Sequence, residues 1–87
     1  MNQVVVHPRV MERHPELSED DVVAAWNAYV RMTRREGDES YLVAVGFDVR
    51  GRAIEMVAVE TIDGDWYVYH ALTPPTKEIL RELGMMR

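Results

Sequence analysis

Between Tyr41 and Ala71 the chain carries three strand-like segments divided by two glycine-containing turns, Arg50-Gly51 and Asp63-Gly64. This pattern constrains the fold more than any other part of the sequence. Asp-Gly between such segments is a strong hairpin signal, because glycine takes the positive φ that a tight turn requires. Consecutive hairpins set Tyr41–Val49, Arg52–Ile62 and Asp65–Ala71 side by side as three antiparallel strands. Tyr41–Val49 is apolar almost throughout, as expected of a strand covered on both faces. On the last strand, regular alternation puts Trp66, Val68 and His70 on one side, and Tyr67, Tyr69 and Ala71 on the other. Alternation alone leaves open which side is buried.

The flanking segments read as helices and one short strand. Gln3–His7 holds three valines and forms an edge strand that Pro8 ends. Arg9–Arg13 is a helical turn closed before Pro15. Ser18-Glu19-Asp20-Asp21 starts a helix, with the Ser18 hydroxyl as cap and the acids at the positive end of the dipole. Val22, Trp26, Tyr29 and Val30 recur at three- and four-residue steps, so this helix is expected to run from about Glu19 to Thr33. Arg31, Arg34 and Arg35 then sit at its negative end, and Gly37 stops it. Trp26, Tyr29 and Trp66 are read as core. Thr73 caps a last helix with Pro74 in its first turn. Ile79, Leu80 and Leu83 form that helix's packing face, and Gly84 ends it.

The expected order is β-α-α-β-β-β-α. The fold class is α+β: a small antiparallel sheet of three main strands plus the N-terminal edge strand, with helices packed on one face. The 87 residues make one domain, 1–87. A chain of this length buries roughly 60–65% of the surface its unfolded state exposes, so its core is thin.

Composition narrows the function. There is no cysteine, hence no disulfide and no thiolate zinc site. Met1–Val6 lacks the basic head and long apolar run of a signal peptide, and no apolar stretch approaches the ~20 residues of a membrane span. A cytoplasmic protein is the expectation. The net charge of −5 weighs against broad nucleic-acid binding. Yet nine of the ten basic residues are arginine, whose planar fork suits phosphate better than lysine does. Arg31, Arg34 and Arg35 cluster, and Arg50 and Arg52 flank a turn. The acids gather at Glu16, Glu19, Asp20 and Asp21. His7 and His14 each precede proline and read as turn punctuation. There is no HExxH, phosphate loop or dinucleotide fingerprint, so neither a metal nor a cofactor is expected.

His70 ends the last strand just before a proline pair. An imidazole held at the lip of a sheet can exchange protons near neutrality. The alternative is a strand-end histidine that only hydrogen-bonds the backbone. Arg50, Arg52 and Lys77 supply cations nearby in sequence, and Glu55 or Tyr69 a second proton-transfer group. Such a set suffices for metal-free RNA cleavage. A base takes the 2′-hydroxyl proton, a cation stabilises the added charge on phosphate, and an acid protonates the leaving 5′-oxygen.

Four stretches carry a family resemblance: the capped helix Leu17–Trp26, Gly46-Phe47-Asp48-Val49-Arg50-Gly51-Arg52, Ile54–Val59 and Tyr69-His70-Ala71-Leu72. Together they resemble small bacterial toxins related to the BrnT family, within the RelE-like ribonuclease superfamily. The resemblance spans roughly residues 12–84 and is most specific at the Gly-Arg-x-x-Glu hairpin and the His-Ala-Leu step. It implies a cytoplasmic toxin of a type II toxin–antitoxin pair, an endoribonuclease that needs no metal, with RNA as substrate. It also implies a small DNA-binding antitoxin as partner. By motif, Arg52, Glu55 and His70 would be catalytic, with Arg50, Arg52 and Lys77 on RNA. Thr73-Pro74-Pro75 lengthens the usual connection before Lys77, and the net acidity departs from RNA-directed toxins. The alternative is a non-catalytic protein-binding module of the same fold, acting as a homodimer or as a partner's subunit.

Overall fold

The computed structural model describes residues 3–86. Its elements are β1 (Val4–Val6), α1 (Pro8–Arg13), α2 (Glu19–Asn27), β2 (Tyr29–Arg35), β3 (Asp38–Phe47), β4 (Ala53–Glu60), β5 (Trp66–Leu72) and α3 (Lys77–Glu82). The five strands form one sheet in the order β1-β5-β4-β3-β2. β1 runs parallel to β5, and the other pairs are antiparallel. The class is α+β, as expected. No helix among the described residues is long and apolar enough to cross a membrane.

The chief departure from the expected order is a fifth strand. The helix begins as the sequence predicts: Ser18 Oγ accepts the Asp21 N–H at 3.1 Å, and Asp21 accepts the Ser18 N–H at 2.9 Å. It ends at Asn27 rather than near Thr33, and Tyr29–Arg35 becomes the edge strand β2. Tyr29, Val30 and Thr33 favour a pleated surface, and pairing with β3 overrides the helical spacing. Gly46 on β3, opposite Tyr29, makes the change of direction feasible. A Cβ there would collide with the Ala25 carbonyl and lie 3.1 Å from the Tyr29 Cα, so only glycine lets the last turn of α2 sit this close to the sheet. Tyr29, expected in the core, is 53% exposed. Arg31, Arg34 and Arg35 lie on β2 instead of at a helix end.

The sheet is covered on both faces. Val22, Ala25 and Trp26 of α2 and Val10 of α1 pack on Leu42, Ala44, Ile54, Met56, Ala58, Val68 and Ala71. Trp26 and Trp66 meet in this layer with ring centroids 5.9 Å apart. The sequence placed the helices on one face, and α1 and α2 do share one. Ile79 and Leu83 of α3 pack against Val43, Val45 and Val57, which alternate with that first set. β3 and β4, buried on both sides, explain the near-continuous apolar runs. α3 starts later than expected: Thr76, not Thr73, is its cap, and the Thr73 hydroxyl donates to the Ala53 carbonyl.

Two irregularities shape the rest. The Asp63-Gly64 turn forms, with Gly64 at φ +83° and its N–H donating to the Thr61 carbonyl. Further along the same hairpin, Val57 pairs with His70 but Ala58 pairs with Val68. Tyr69 is therefore an extra residue, a β-bulge. It breaks the alternation assumed from the sequence. Trp66, Val68 and Ala71 line the α1–α2 layer together, and His70 is turned to the opposite face, beside Val57.

Candidate active site

Glu55 and His70 lie on neighbouring strands, on the face that α3 covers. Glu55 is buried at 2% exposure. Its Oε2 lies 2.7 Å from His70 Nε2, and its Oε1 accepts the Thr76 N–H. Burial opposes ionisation of Glu55, but the hydrogen bonds from His70 and Thr76 outweigh it and hold the carboxyl below its ordinary 4.5. A carboxylate accepting at Nε2 places the ring proton on Nε2. The lone pair then sits on Nδ1, which has no partner among the described residues. His70 keeps 38% of its side chain exposed. A buried carboxylate orienting a half-exposed imidazole is the geometry of a general base.

His70 and Tyr69 form a ridge between two hollows. On one side His7, Arg9, Val10, Arg13 and His14 complete a cavity of about 350 Å³. β1 stops at Val6, opposite Val68, so the outer edge of β5 beyond Val68 has no strand partner and opens beside α1. Val10 is buried, and Arg9 and Arg13, one helical turn apart, share the exposed face of α1. On the other side lie Arg35, Glu55, Val57, Leu72, Thr76, Glu78 and Ile79 around about 370 Å³. Tyr69 meets Tyr41 edge-on, with centroids 5.8 Å apart. Burial and the adjacent Tyr41 push its phenol pKa up, so it stays a neutral donor.

The cations predicted from sequence are not in these hollows. The Arg52 Nε donates to Asp48 Oδ2 at 2.7 Å, and its Nη2 to Asp21 Oδ2 at 3.0 Å. Its Nη1 donates to the Glu16 carbonyl. Arg50 also donates to Asp21, at 3.2 Å. Asp48 is buried beneath the β3–β4 turn and accepts the N–H groups of Arg50 and Arg52. This network lies toward α2, on the face away from Glu55 and His70. Two residues called for one site are thus brought together, Glu55 and His70, while Arg50 and Arg52 are separated from them by the sheet. Lys77 opens α3 but lines neither hollow.

Sequence reasoning missed Arg9, Arg13, His7, His14 and Arg35. The first four sit within the run His7-Pro8-Arg9-Val10-Met11-Glu12-Arg13-His14. A buried Val10 between two arginines four apart was the available signal. Among the described residues, no group of three or more histidine, aspartate or glutamate side chains could hold a metal ion.

Comparison with family models, with curated proteins and with solved structures finds no match to this chain.

The hydrogen-bonded carboxylates also set an acid limit. Asp21 and Asp48 are held below their ordinary 3.8, as Glu55 is below 4.5. The Ser18 N–H is the main cause at Asp21. At Asp48 burial resists, and hydrogen bonds from Arg52 and Arg50 outweigh it. A carboxyl whose folded pKa is lowered contributes stability above its unfolded value and loses it as pH falls through the folded value. The share of stability that these three carboxylates contribute should therefore be constant above about pH 5, and denaturant midpoints should fall steadily below about pH 4. A midpoint unchanged down to about pH 3 would contradict the hydrogen-bonded carboxylate assignments at Asp21, Asp48 and Glu55.

Proposed function

We propose that the protein is the toxin of a toxin–antitoxin pair, a cytoplasmic endoribonuclease that cleaves RNA by proton transfer without a metal. The observation that carries this reading is His70, backed by Glu55, lining a hollow rimmed by Arg9 and Arg13. In this mechanism Nδ1 of His70 takes the 2′-hydroxyl proton, and Glu55 holds the ring in the required tautomer and balances its charge. Arg9 and Arg13 stabilise the charge that develops on phosphate, in place of Arg50, Arg52 and Lys77. Tyr69, a neutral phenol on the same ridge, protonates the leaving 5′-oxygen. The partner is a small DNA-binding antitoxin that covers the hollow until RNA is needed there. The resemblance to BrnT-like toxins supports the same substrate and partner.

A second reading also has a specific observation behind it. Glu55 ties β4 to β5 through His70 and to α3 through Thr76, which is a sufficient structural task. On that reading the domain is a non-catalytic protein-binding module, a homodimer or a partner's subunit. Induced expression of the intact chain should slow growth, and the purified protein should cut single-stranded RNA in the presence of a chelator. Normal growth at verified soluble levels, together with intact RNA, would leave the binding module as the function.

A further inference from the structure

The α1-side hollow gathers two guanidinium groups and three imidazoles in one wall. The chain carries a net −5, and Arg34, Arg35, Arg50 and Arg52 each meet a carboxylate. Arg9 and Arg13 pair with no carboxylate among the described residues. Among the described residues, the hollow they rim has no acidic side chain in its wall and has three imidazoles, from His7, His14 and His70.

The three rings are not equivalent. His7 caps α1, its Nδ1 accepting the Arg9 N–H at 3.0 Å, and its ring lies on Tyr67 with centroids 5.5 Å apart. Its proton is therefore on Nε2, which makes it a neutral donor, and a second proton would break the cap. His14 follows α1, with Nδ1 3.5 Å from Glu16 Oε1. His70 is backed by Glu55. The groups facing the hollow are thus Arg9 and Arg13 from α1, His7 and His14 from its ends, and Tyr69 and His70 from β5. Glu16 and Glu55 stand behind two of the rings, and on its other side His70 shares the second hollow with Arg35 of β2 and Glu78 of α3. Protonation of His14 and His70 would add charge to a hollow that already holds two guanidinium groups.

We propose that this hollow is a pH-gated site for a tetrahedral oxyanion of the phosphate class, held by Arg9 and Arg13 and tightened when His14 and His70 take up protons. The proposal rests on the nuclease reading only for its natural occupant, an RNA phosphate. Gating follows from charge alone, since a proton gained by either ring adds positive charge beside a bound anion. It would make substrate affinity, and not only the chemical step, depend on pH.

Inorganic sulfate is the suitable probe, because its charge does not change across the range in which imidazole titrates. Sulfate would be titrated into the intact protein at constant ionic strength, at about pH 5.5 and about pH 8, with histidine and arginine side-chain resonances as the readout. The expected result is binding at least about tenfold tighter at the lower pH. Arg9→Gln and Arg13→Gln should each weaken it about fivefold or more, and Arg81→Gln, on α3 and outside the hollow, should not. Circular dichroism confirms that each variant is folded. Equal affinity at both pH values, wild-type affinity in both α1 variants, or no shift of the hollow's resonances would overturn the proposal. Sulfate binding as expected without RNA cleavage would leave the oxyanion site standing and remove the nuclease reading. Cleavage without sulfate binding would do the reverse.

Discussion

His70→Gln is expected to lower RNA cleavage by about 10²–10⁴-fold, the usual contribution of a positioned acid or base. Glutamine keeps an N–H that can reach the buried Glu55, so the hydrogen bond that orients the site has a substitute. What it lacks is a basic lone pair near neutrality. The comparison with His70→Ala then separates chemistry from folding. Alanine leaves the Glu55 carboxylate, 2% exposed, without its Nε2 partner, which costs about 1–3 kcal/mol. Both variants should fail to cleave, but only the alanine variant should lose much stability. Arg52→Ala is the informative contrast. Its guanidinium joins Asp48, Asp21 and the Glu16 carbonyl on the face away from His70. It should lower the thermal midpoint while cleavage per folded molecule persists. Cleavage that survives in His70→Gln would remove the assigned base. A folded Arg52→Ala protein without activity would show that the α2-side network takes part in the chemistry.

Gly46→Ala should destabilise the fold by about 3 kcal/mol, at the upper end of ordinary overpacking. The added methyl collides with the Ala25 carbonyl, and backbone cannot rotate aside as a side chain can. Relief would require α2 to lift from β3, and with it Ala25 and Trp26 from the first core layer. In so small a domain total stability is roughly 5 kcal/mol, so the variant should unfold near growth temperature. Urea midpoints of wild type and variant measure the difference. A change below about 0.5 kcal/mol would mean that the helix does not approach the sheet this closely.

Much of the fold was legible because it depends on local chemistry. The Ser18–Asp21 capping box, the Asp63-Gly64 turn and the two-sided apolar run of β3 each follow from residues adjacent in the chain. The same holds for Glu55 and His70 as separate candidates. The end of α2 was not legible, because Tyr29 and Val30 satisfy a helical spacing as well as a strand. The choice between them is made by β3, which lies further along the chain. Nor was the cationic hollow legible. Arg9 and Arg13 form it only because β1 ends early and α1 settles beside the open edge of β5.

The sequence by itself determined the α+β class, the hairpins, the helix start at Ser18 and the presence of an imidazole and a carboxylate near the sheet's end. Tertiary structure alone decided that these two groups meet, that Arg50 and Arg52 turn away, and that His70 leaves the Trp66 side. For Arg50 and Arg52 the reason is the pull of Asp48 and Asp21; for His70 it is the single extra residue at Tyr69. A bulge reverses the facing of every side chain after it, and its position is set by cross-strand pairing rather than by any local preference.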